Sequence, residues 1–400
     1  MVAESSKPLS FAQSPFMNVT EILHHLISFP VLGGQVNSSI ASWIENYLTQ
    51  NGVAFVNVWN EEKTKRCIHC RIGPAIDGGV ILSGHMDVVP VDGQDWTYPP
   101  FELTDPGDGK LYGRGTSDMK GYVACCLSLV PEMMVADLKR PIYLALSFDE
   151  EIGCRSGQML ANHMRDYYEE KPAFAIIGEP TMLHGFNCQK GIVVYKTSLN
   201  GINAHSSKIM EKVSAIHESA RLITWLEDKM HELIGNGHID HRFVPPHTTF
   251  HVGTFEKSGT QFNIVSDSAS FMWEIRNIPM DSIAGLFGEF EAFCREREVI
   301  CQQKFPDFRI VNEEIHDEVP SLDTPEESRV VELIRTITGN HAIKSAAYAA
   351  EAGQFQRAGF EAIICGPGDI DQAHKADEFI SKDQLQKGVG MIRKLIEISC

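Results

Sequence analysis

Residues 141–151 read PIYLALSFDEE, an apolar run that ends in three consecutive acids. The run Tyr143–Leu146 predicts a buried strand, and Asp149, Glu150 and Glu151 follow where that strand would end. Neighbouring side chains on a strand point to opposite faces, so adjacent glutamates can face one crevice only after the strand has given way to a turn. We therefore expect a strand whose carboxyl end presents acidic side chains to a cleft.

Strand and helix patterns alternate around this stretch. The segments GGVILSGHMDVVP (78–90) and AFAIIGEP (173–180) predict strands, and GYVACCLSLVPEMM (121–134) and QMLANHMRDYYEE (158–170) predict helices. Such alternation is typical of the α/β class, in which helices cover the faces of a sheet.

A second pattern interrupts the first. From about residue 188 the predicted elements follow the order β-α-β-β-α-β, which forms a compact two-layer unit of its own. The first pattern resumes after Pro320. We therefore predict an α/β sheet domain of residues 1–187 and 319–400 and an inserted α+β domain of residues 188–318, and a chain of 400 residues is long enough for both.

The charge balance limits the classes of partner. The chain has 35 Lys and Arg against 53 Asp and Glu, for a net charge of −18. Nucleic-acid binding needs clustered Lys and Arg, so we expect no such partner, and the same balance disfavours an anionic membrane surface. No run of eighteen apolar residues predicts a membrane span, and residues 1–16 lack the apolar segment of a secretory signal, so we expect a cytoplasmic protein.

The ten cysteines do not indicate a zinc site. Only Cys67 and Cys70 have a metal-like spacing, and no second pair completes a set of four ligands. Because the surrounding KTKRCIHCRIG alternates like a strand, we interpret both as ordinary strand residues.

Side chains that bind metals follow several predicted strands of the first domain, namely His85, Asp87, Asp118, Glu150, Glu151, Glu179 and His374. Ligands of α/β sheets gather at the carboxyl ends of strands, and so many acids in one crevice require cations. Singly, a Glu-Glu pair suits a solvated turn and Asp118 could cap a helix, so only the joint occurrence indicates a site. Oxygen and imidazole ligands suit zinc, cobalt or manganese, and a carboxylate can bridge two such ions.

Five segments carry a resemblance to a known family. They are SGHMDVVPVDGQDWTYPPFELT (83–104), LYGRGTSDMKG (111–121), SFDEEIG (147–153), IIGEPT (176–181) and GPGDIDQAHKADEF (366–379). In this order they resemble the acetylornithine deacetylase and succinyl-diaminopimelate desuccinylase family of di-zinc aminoacylases and peptidases. Within that family the chain is most similar to acetylornithine deacetylases.

The resemblance implies a role for each side chain at the strand ends. Asp118 would bridge two divalent ions, most simply zinc, with cobalt or manganese as alternatives. His85 and Glu179 would complete the ligands of one ion, and Glu151 and His374 those of the other. Glu150 would be the general base, and Asp87 would stand behind His85 and fix its tautomer. The family also has a cis peptide bond after the bridging aspartate, here Asp118–Met119.

The inserted domain would contribute further residues. The resemblance implies a homodimer in which His205 reaches the partner's active site and donates to the oxyanion. Asn263 and Arg276 would bind the substrate carboxylate, although either could instead be a plain surface residue. Near residue 351, backbone N–H groups around Gly353 could hold a carboxylate and Glu351 could meet a substrate ammonium.

The implied reaction is hydrolysis of N2-acetyl-L-ornithine, a small-molecule N-acyl amino acid, to L-ornithine and acetate in arginine biosynthesis. Three related activities stay open: another N-acyl-amino-acid deacylase, a succinyl-diaminopimelate desuccinylase, and a metallo-dipeptidase or carboxypeptidase. An alternative of another class is an inactive dimeric relative that serves as a binding or scaffold protein. The complete ligand set and the intact Glu150 argue against that alternative.

Overall fold

The structure is a computed structural model, and it describes residues 17–256 and 261–400. Its helices are α1 (Val19–Ile27), α2 (Ser38–Gln50), α3 (Lys120–Ser128), α4 (Val130–Val135), α5 (Gly157–Tyr167), α6 (Ala215–Gly235), α7 (Ile283–Gln302), α8 (Arg329–Thr338), α9 (Ala352–Arg357) and α10 (Lys382–Ser399). Short 3₁₀ segments cover Ser206–Glu211 and Ile370–Gln372. In the described ranges, none of the helices is both long and apolar enough to cross a bilayer.

The strands are β1 (Phe55–Trp59), β2 (Arg66–Ile72), β3 (Val80–His85), β4 (Lys110–Tyr112), β5 (Ile142–Ser147), β6 (Phe174–Pro180), β7 (Gly185–Gln189), β8 (Ile192–Asn200), β9 (Thr249–Glu256), β10 (Ser268–Arg276), β11 (Ile310–Val319), β12 (Leu322–Asp323), β13 (Ile343–Ala346), β14 (Glu361–Gly366) and β15 (Phe379–Ser381). A nine-stranded mixed sheet has the order β1-β2-β5-β3-β6-β14-β7-β12, with β13 paired to β7. The neighbours β5, β3, β6 and β14 are parallel, so their carboxyl ends share one edge of the sheet.

The quoted apolar run forms β5, which is buried along its whole length. Ile142, Leu144 and Leu146 pack into the core on one face of the sheet, and Tyr143 and Ala145 pack into the core on the other. A strand that is covered on both faces needs apolar side chains at every position, which explains the continuous run. The α/β class predicted from the sequence is confirmed.

One predicted helix is two. The segment 121–134 divides into α3 and α4 at Leu129, where the chain leaves the first helix and Pro131 lies in the first turn of the second. Proline has no N–H to donate, and the first turn of a helix is where that loss costs least. The prediction of a single continuous helix was therefore wrong.

A separate antiparallel sheet of four strands has the order β11-β8-β10-β9. Its core includes Trp273 and Phe271 from β10 and Phe290 from α7. The elements β8, α6, β9, β10, α7 and β11 reproduce the predicted β-α-β-β-α-β order. The chain changes sheet between Gln189 and Ile192, and the domain boundaries placed at 188 and 318 stay predictions.

Candidate active site and metal centre

Two groups of potential metal ligands meet at the shared edge of the parallel strands, and one residue belongs to both. The first group is His85, Asp118 and Glu179, and the second is Asp118, Glu151 and His374. In each group one ligand atom from every residue lies within 4.8 Å of the others. The structure therefore brings together all five side chains for which the sequence predicts metal binding.

Asp118 is shared because its two carboxylate oxygens face different histidines. Oδ1 lies 3.1 Å from Nε2 of His85, and Oδ2 lies 3.3 Å from Nε2 of His374. The same nitrogen of His374 lies 3.0 Å from Oε2 of Glu151. A carboxylate placed in this way can contribute one oxygen to each of two ions.

The turn after β5 is held by two aspartates. Asp87 accepts hydrogen bonds from the backbone N–H of Glu150 and of Glu151, each at 3.2 Å, through its two carboxylate oxygens. Asp149 has a positive φ of 56°. Its carboxylate accepts a hydrogen bond from the N–H of Gly34 at 2.8 Å and forms an ion pair with Lys65. Strand geometry has ended at this turn, so the two adjacent glutamates both reach the cleft.

The tautomer of His85 is set by a backbone oxygen. Its Nδ1 lies 2.9 Å from the carbonyl oxygen of Asp87 and 3.7 Å from the carboxylate of the same residue. A carbonyl can only accept, so Nδ1 carries a proton, and Nε2, which faces Asp118, is the ring nitrogen that would bind an ion. The partner of His85 is thus the predicted residue, but the contact runs through its backbone.

The loop that carries Asp118 is fastened by Glu378, which is fully buried. The Glu378 carboxylate accepts hydrogen bonds from the N–H groups of Gly115, Ser117 and Asp118 at 2.9, 2.8 and 3.1 Å. It also accepts one from the guanidinium of Arg114 at 2.8 Å. The peptide bond between Asp118 and Met119 is cis, as the resemblance implies.

The electrostatics of the cluster favour cations. Burial and then the neighbouring carboxylates raise the pKa of Glu179 well above its usual value, and burial does the same for Glu150. Burial, followed by the charge of Asp118, raises the pKa of Glu151 to about 7. Hydrogen bonds to Asp118 and Glu151 raise the pKa of His374 to about 10. The repulsion between these buried carboxylates would be relieved by positive ions bound among them.

The donor set fits a pair of divalent ions. Glu179 has a buried carboxylate oxygen, Oε1, for which no hydrogen-bond partner is found among the described residues. A buried carboxylate oxygen without a donor is costly unless a cation supplies the missing interaction. Three carboxylates and two imidazoles provide only oxygen and nitrogen ligands, a set that suits zinc, cobalt or manganese.

The cluster opens into a cavity of about 260 Å³. The residues that line it are Asp118, Glu150, Glu151, Glu179, Tyr348, Ala349, Ile370, Ala373 and His374. One carboxylate oxygen of Glu150 lies 3.9 Å from Nε2 of His85, and the other lies 3.2 Å from the thiol of Cys154. Glu150 belongs to neither ligand group, so its carboxylate is available to a substrate.

The predicted residues of the inserted segment lie on the smaller sheet and its loops. His205 is exposed, and its Nδ1 lies 2.9 Å from the hydroxyl of Ser207. Asn263 is exposed, and Arg276 pairs with Glu274 at 2.8 Å. Among the described residues these contacts join them to neighbours in their own segment, and none of the three lines the cavity. Their predicted roles stay predictions.

The predicted residues near α9 lie beneath the site. Glu351 is only 1% exposed, and a side chain at Gly157 would come within 2.8 Å of its Oε1. Gly353 is packed so closely that a Cβ atom would lie 2.0 Å from the carbonyl oxygen of Pro320. Neither residue lines the described cavity, and their predicted contacts with substrate stay predictions.

Two residues of the site have no role in the sequence-based prediction. Glu378 lies inside the quoted segment 366–379, four residues after His374, and that proximity could have drawn attention to it. Tyr348 lines the cavity from the loop after β13, and its position three residues before Glu351 is a similar signal in the sequence.

Comparisons with known proteins agree with this architecture. A model of peptidase family M20/M25/M40 matches residues 81–398. The chain is 29% identical over 390 residues to an acetylornithine deacetylase of Proteus mirabilis (strain HI4320), covering 95% of this chain and 96% of that protein.

Solved structures share the fold. A tripeptidase of Staphylococcus aureus has a TM-score of 0.73 at 16% identity, covering 97% of this chain and 99% of that one. A dinuclear metal binding peptidase of family M20 from Bacillus subtilis has a TM-score of 0.61 at 12% identity, covering 95% of this chain and 97% of that one. The family match spans most of the chain, and the chain therefore belongs to peptidase family M20/M25/M40, as a metal-dependent hydrolase of amide bonds.

Proposed function

We propose that this chain hydrolyses N2-acetyl-L-ornithine to L-ornithine and acetate, with two divalent ions, most simply zinc, held by the two ligand groups that share Asp118. The shared aspartate is the observation that supports this chemistry, because the two ligand groups that contain it could hold two ions close together, with Glu150 3.9 Å from His85 of the first group. The substrate rests on the similarity to an acetylornithine deacetylase over 95% of the chain. The Bacillus subtilis relative, described as binding two metals, supports the same count of ions.

The side chains that line the cavity support this substrate over a succinylated one. Four carboxylates line it, and no Lys or Arg is found among the described residues of the lining. Two divalent ions would balance the charge of these four carboxylates, so no Lys or Arg of the described lining is left to pair with the terminal carboxylate of a succinyl group. Ala349 and Ala373 add a small apolar surface that suits an acetyl methyl group.

Glu150 is the group that moves the proton. When bound, the ions supply Lewis-acid activation of water and of the amide carbonyl. The carboxylate of Glu150 takes a proton from the attacking water as the new C–O bond forms, and it returns that proton to the nitrogen as the C–N bond breaks. Burial raises the pKa of Glu150 well above its usual value. The charge of two neighbouring ions would oppose this effect and favour the ionised carboxylate that a base requires.

We also propose that the active form is a homodimer in which His205 of one copy acts at the site of the other. His205 is exposed on a loop of the smaller sheet and does not line the cavity of its own chain. An imidazole at that position could stabilise the oxyanion only by reaching a site outside its own segment. Arginine biosynthesis stays a prediction that follows from the proposed reaction, and a cytoplasmic location stays a prediction from the sequence.

A substrate panel tests the proposed reaction. Protein loaded with zinc or cobalt would be given N2-acetyl-L-ornithine, other N-acetyl amino acids, N-succinyl-L,L-diaminopimelate and dipeptides, and the freed amine would be measured with ninhydrin and by mass. We expect kcat/KM for acetylornithine to exceed that of each competitor by at least about tenfold. A higher value for a dipeptide or the succinylated compound would replace the proposed substrate, and hydrolysis of none of them would support the inactive relative.

A further inference from the structure

The hydroxyl of Tyr348 is a hydrogen-bond donor that is buried beside the metal ligands without a partner. Its oxygen is almost completely buried and has no hydrogen-bond partner among the described residues. The side chain lines the cavity together with Asp118, Glu150 and Glu179. Buried hydroxyls normally find a partner, because leaving one unpaired is costly. The bond that Tyr348 lacks is therefore one that a molecule in the cavity would supply.

Tyr348 keeps its proton over the working range of pH. Burial raises the pKa of its phenol above the usual value of 10.0, and the charges of Glu179, Asp118 and Glu150 raise it further. A phenol in this setting donates a hydrogen bond and does not act as a base.

The remaining side chains of the cavity offer no equivalent donor. The ionised carboxylates only accept hydrogen bonds, and Ala349, Ile370 and Ala373 are apolar. His374 is already engaged, with its Nε2 between Glu151 and Asp118. Within the described lining, Tyr348 is thus the residue that brings an uncommitted O–H group to the reacting amide.

The tyrosine is well placed to act as a fixed donor. Its ring packs against the core on the α9 side of the large sheet. The backbone next to Tyr348 is also held in place. The carbonyl oxygen of Ala350, two residues after Tyr348, accepts a hydrogen bond from the buried side chain of Gln189 at 2.7 Å. Donors fixed before the reaction stabilise a developing charge without the cost of reorganisation.

We propose that the Tyr348 hydroxyl donates a hydrogen bond to the oxygen of the scissile carbonyl and stabilises the negative charge that forms there when water adds. The water oxygen bonds to the carbonyl carbon, Glu150 carries the proton to the departing nitrogen, and Tyr348 retains its own proton throughout. The inference rests on the proposed amide hydrolysis and assigns a stabilising group from the same chain as the metal ligands. It is independent of His205, which lies on the loop that follows β8 of the other sheet.

Tyr348→Phe tests this role because it removes only the hydroxyl. We expect kcat to fall by about 100-fold with KM changed by less than about threefold, since the contact strengthens in the transition state. A methylphosphonamidate of ornithine, which mimics the tetrahedral species, should lose affinity by a similar factor. Tyr47→Phe is the matched control, because the Tyr47 hydroxyl is also buried but donates to the carbonyl oxygen of Leu127 at 3.1 Å. The control should keep the wild-type kcat and analogue affinity.

Three results would overturn the proposal: an unchanged kcat in Tyr348→Phe, a raised KM with an unchanged kcat, or a loss of bound metal that explains the lower rate. Metal content and the thermal midpoint of both variants are therefore measured first. The kinetics use whichever N-acyl amino acid the wild-type protein hydrolyses best. If acetylornithine is not that compound, the proposed substrate fails while the test of Tyr348 proceeds on the other amide.

Discussion

At the edge of the nine-stranded sheet, buried acids and histidines converge on one cavity, whereas the four-stranded sheet carries His205 and Asn263 as exposed side chains. The first group is held by its own chain: Asp87 fixes the glutamate turn and Glu378 fixes the Asp118 loop. Among the described residues, the imidazole of His205 is hydrogen-bonded to Ser207, two positions along the chain.

This difference separates two kinds of functional residue. A ligand cluster must be positioned to within a fraction of an ångström before a metal arrives, so buried hydrogen bonds surround it. A residue that acts on another copy of the chain must be exposed on its own, and its geometry is complete only in the assembly. In the proposed mechanism, residues at the edge of the large sheet would bind the ions and transfer the proton, and the smaller sheet would add stabilisation from outside.

The largest expected effect is on the large-sheet side, from Glu150→Gln. The substitution removes the base but leaves both ligand groups intact, so kcat should fall by about 10² to 10⁴-fold while two ions remain bound. Metal content by elemental analysis and steady-state rates would be measured together, with Glu327→Gln, an exposed site, as the control. Retention of near-normal activity in Glu150→Gln would remove that residue from the mechanism.

The second test concerns the smaller sheet. His205→Ala should lower kcat by about 100-fold, because one donor to the oxyanion is lost. If His205 acts on the partner, mixing that variant with Glu150→Gln should restore about a quarter of wild-type activity, since half of the dimers would contain one complete site. Rates of the subunits mixed after dissociation and reassociation would be compared with those of each variant alone. No recovery in mixtures shown to contain the heterodimer would contradict action across subunits.

A smaller effect is expected from Glu378→Gln, which tests whether the buried hydrogen bonds position Asp118. The amide of glutamine has one accepting oxygen, so it cannot accept from all the N–H groups that the carboxylate accepts from. Each buried N–H group left unpaired would cost about 1–3 kcal/mol of stability. We expect metal affinity to fall by about 10- to 100-fold, measured by competition with a chromogenic chelator. Glu132→Gln, at an exposed ion pair with Arg393, is the control and should keep wild-type affinity. Unchanged metal binding in Glu378→Gln would show that the loop needs no such support.

The smallest effect is a pH dependence of stability in metal-free protein. Burial raises the pKa of Glu351 to about 7. Because this value is above that of the unfolded chain, the protonated form stabilises the fold at low pH, and the stabilisation is lost as the pH rises through about 7. Relative to Glu351→Gln, the wild type should lose about 1 kcal/mol of unfolding free energy per pH unit between pH 5.5 and 6.5.

Urea unfolding of both proteins in chelator would measure that difference. Other buried acids titrate in both proteins, so comparing the two isolates Glu351. A difference between them that stays constant with pH would show that Glu351 is ionised in the folded protein.

The clustering of the five proposed metal ligands could be predicted because each lies at the end of a strand or in a short quoted segment. Parallel strands bring such ends to one edge, so local patterns were sufficient. The support from Glu378 could not be predicted, because it depends on where the loop that carries Asp118 lies in three dimensions. Tyr348 was missed for the same reason, since only the packing of the loop after β13 brings its hydroxyl to the cavity. The close packing of Glu351 against Gly157 could not be predicted either, because it brings together two segments that are distant in the sequence. A Cβ atom at position 157 would lie 2.8 Å from Oε1 of Glu351.

The central claim is that Asp118 joins two ions. It is tested most directly by an anomalous-difference map from crystals of the zinc-loaded protein. Two peaks on either side of the Asp118 carboxylate are predicted, one bound also by His85 and Glu179 and the other by Glu151 and His374. A single peak, or peaks that do not contact Asp118, in crystals of protein that hydrolyses its substrate would contradict the account.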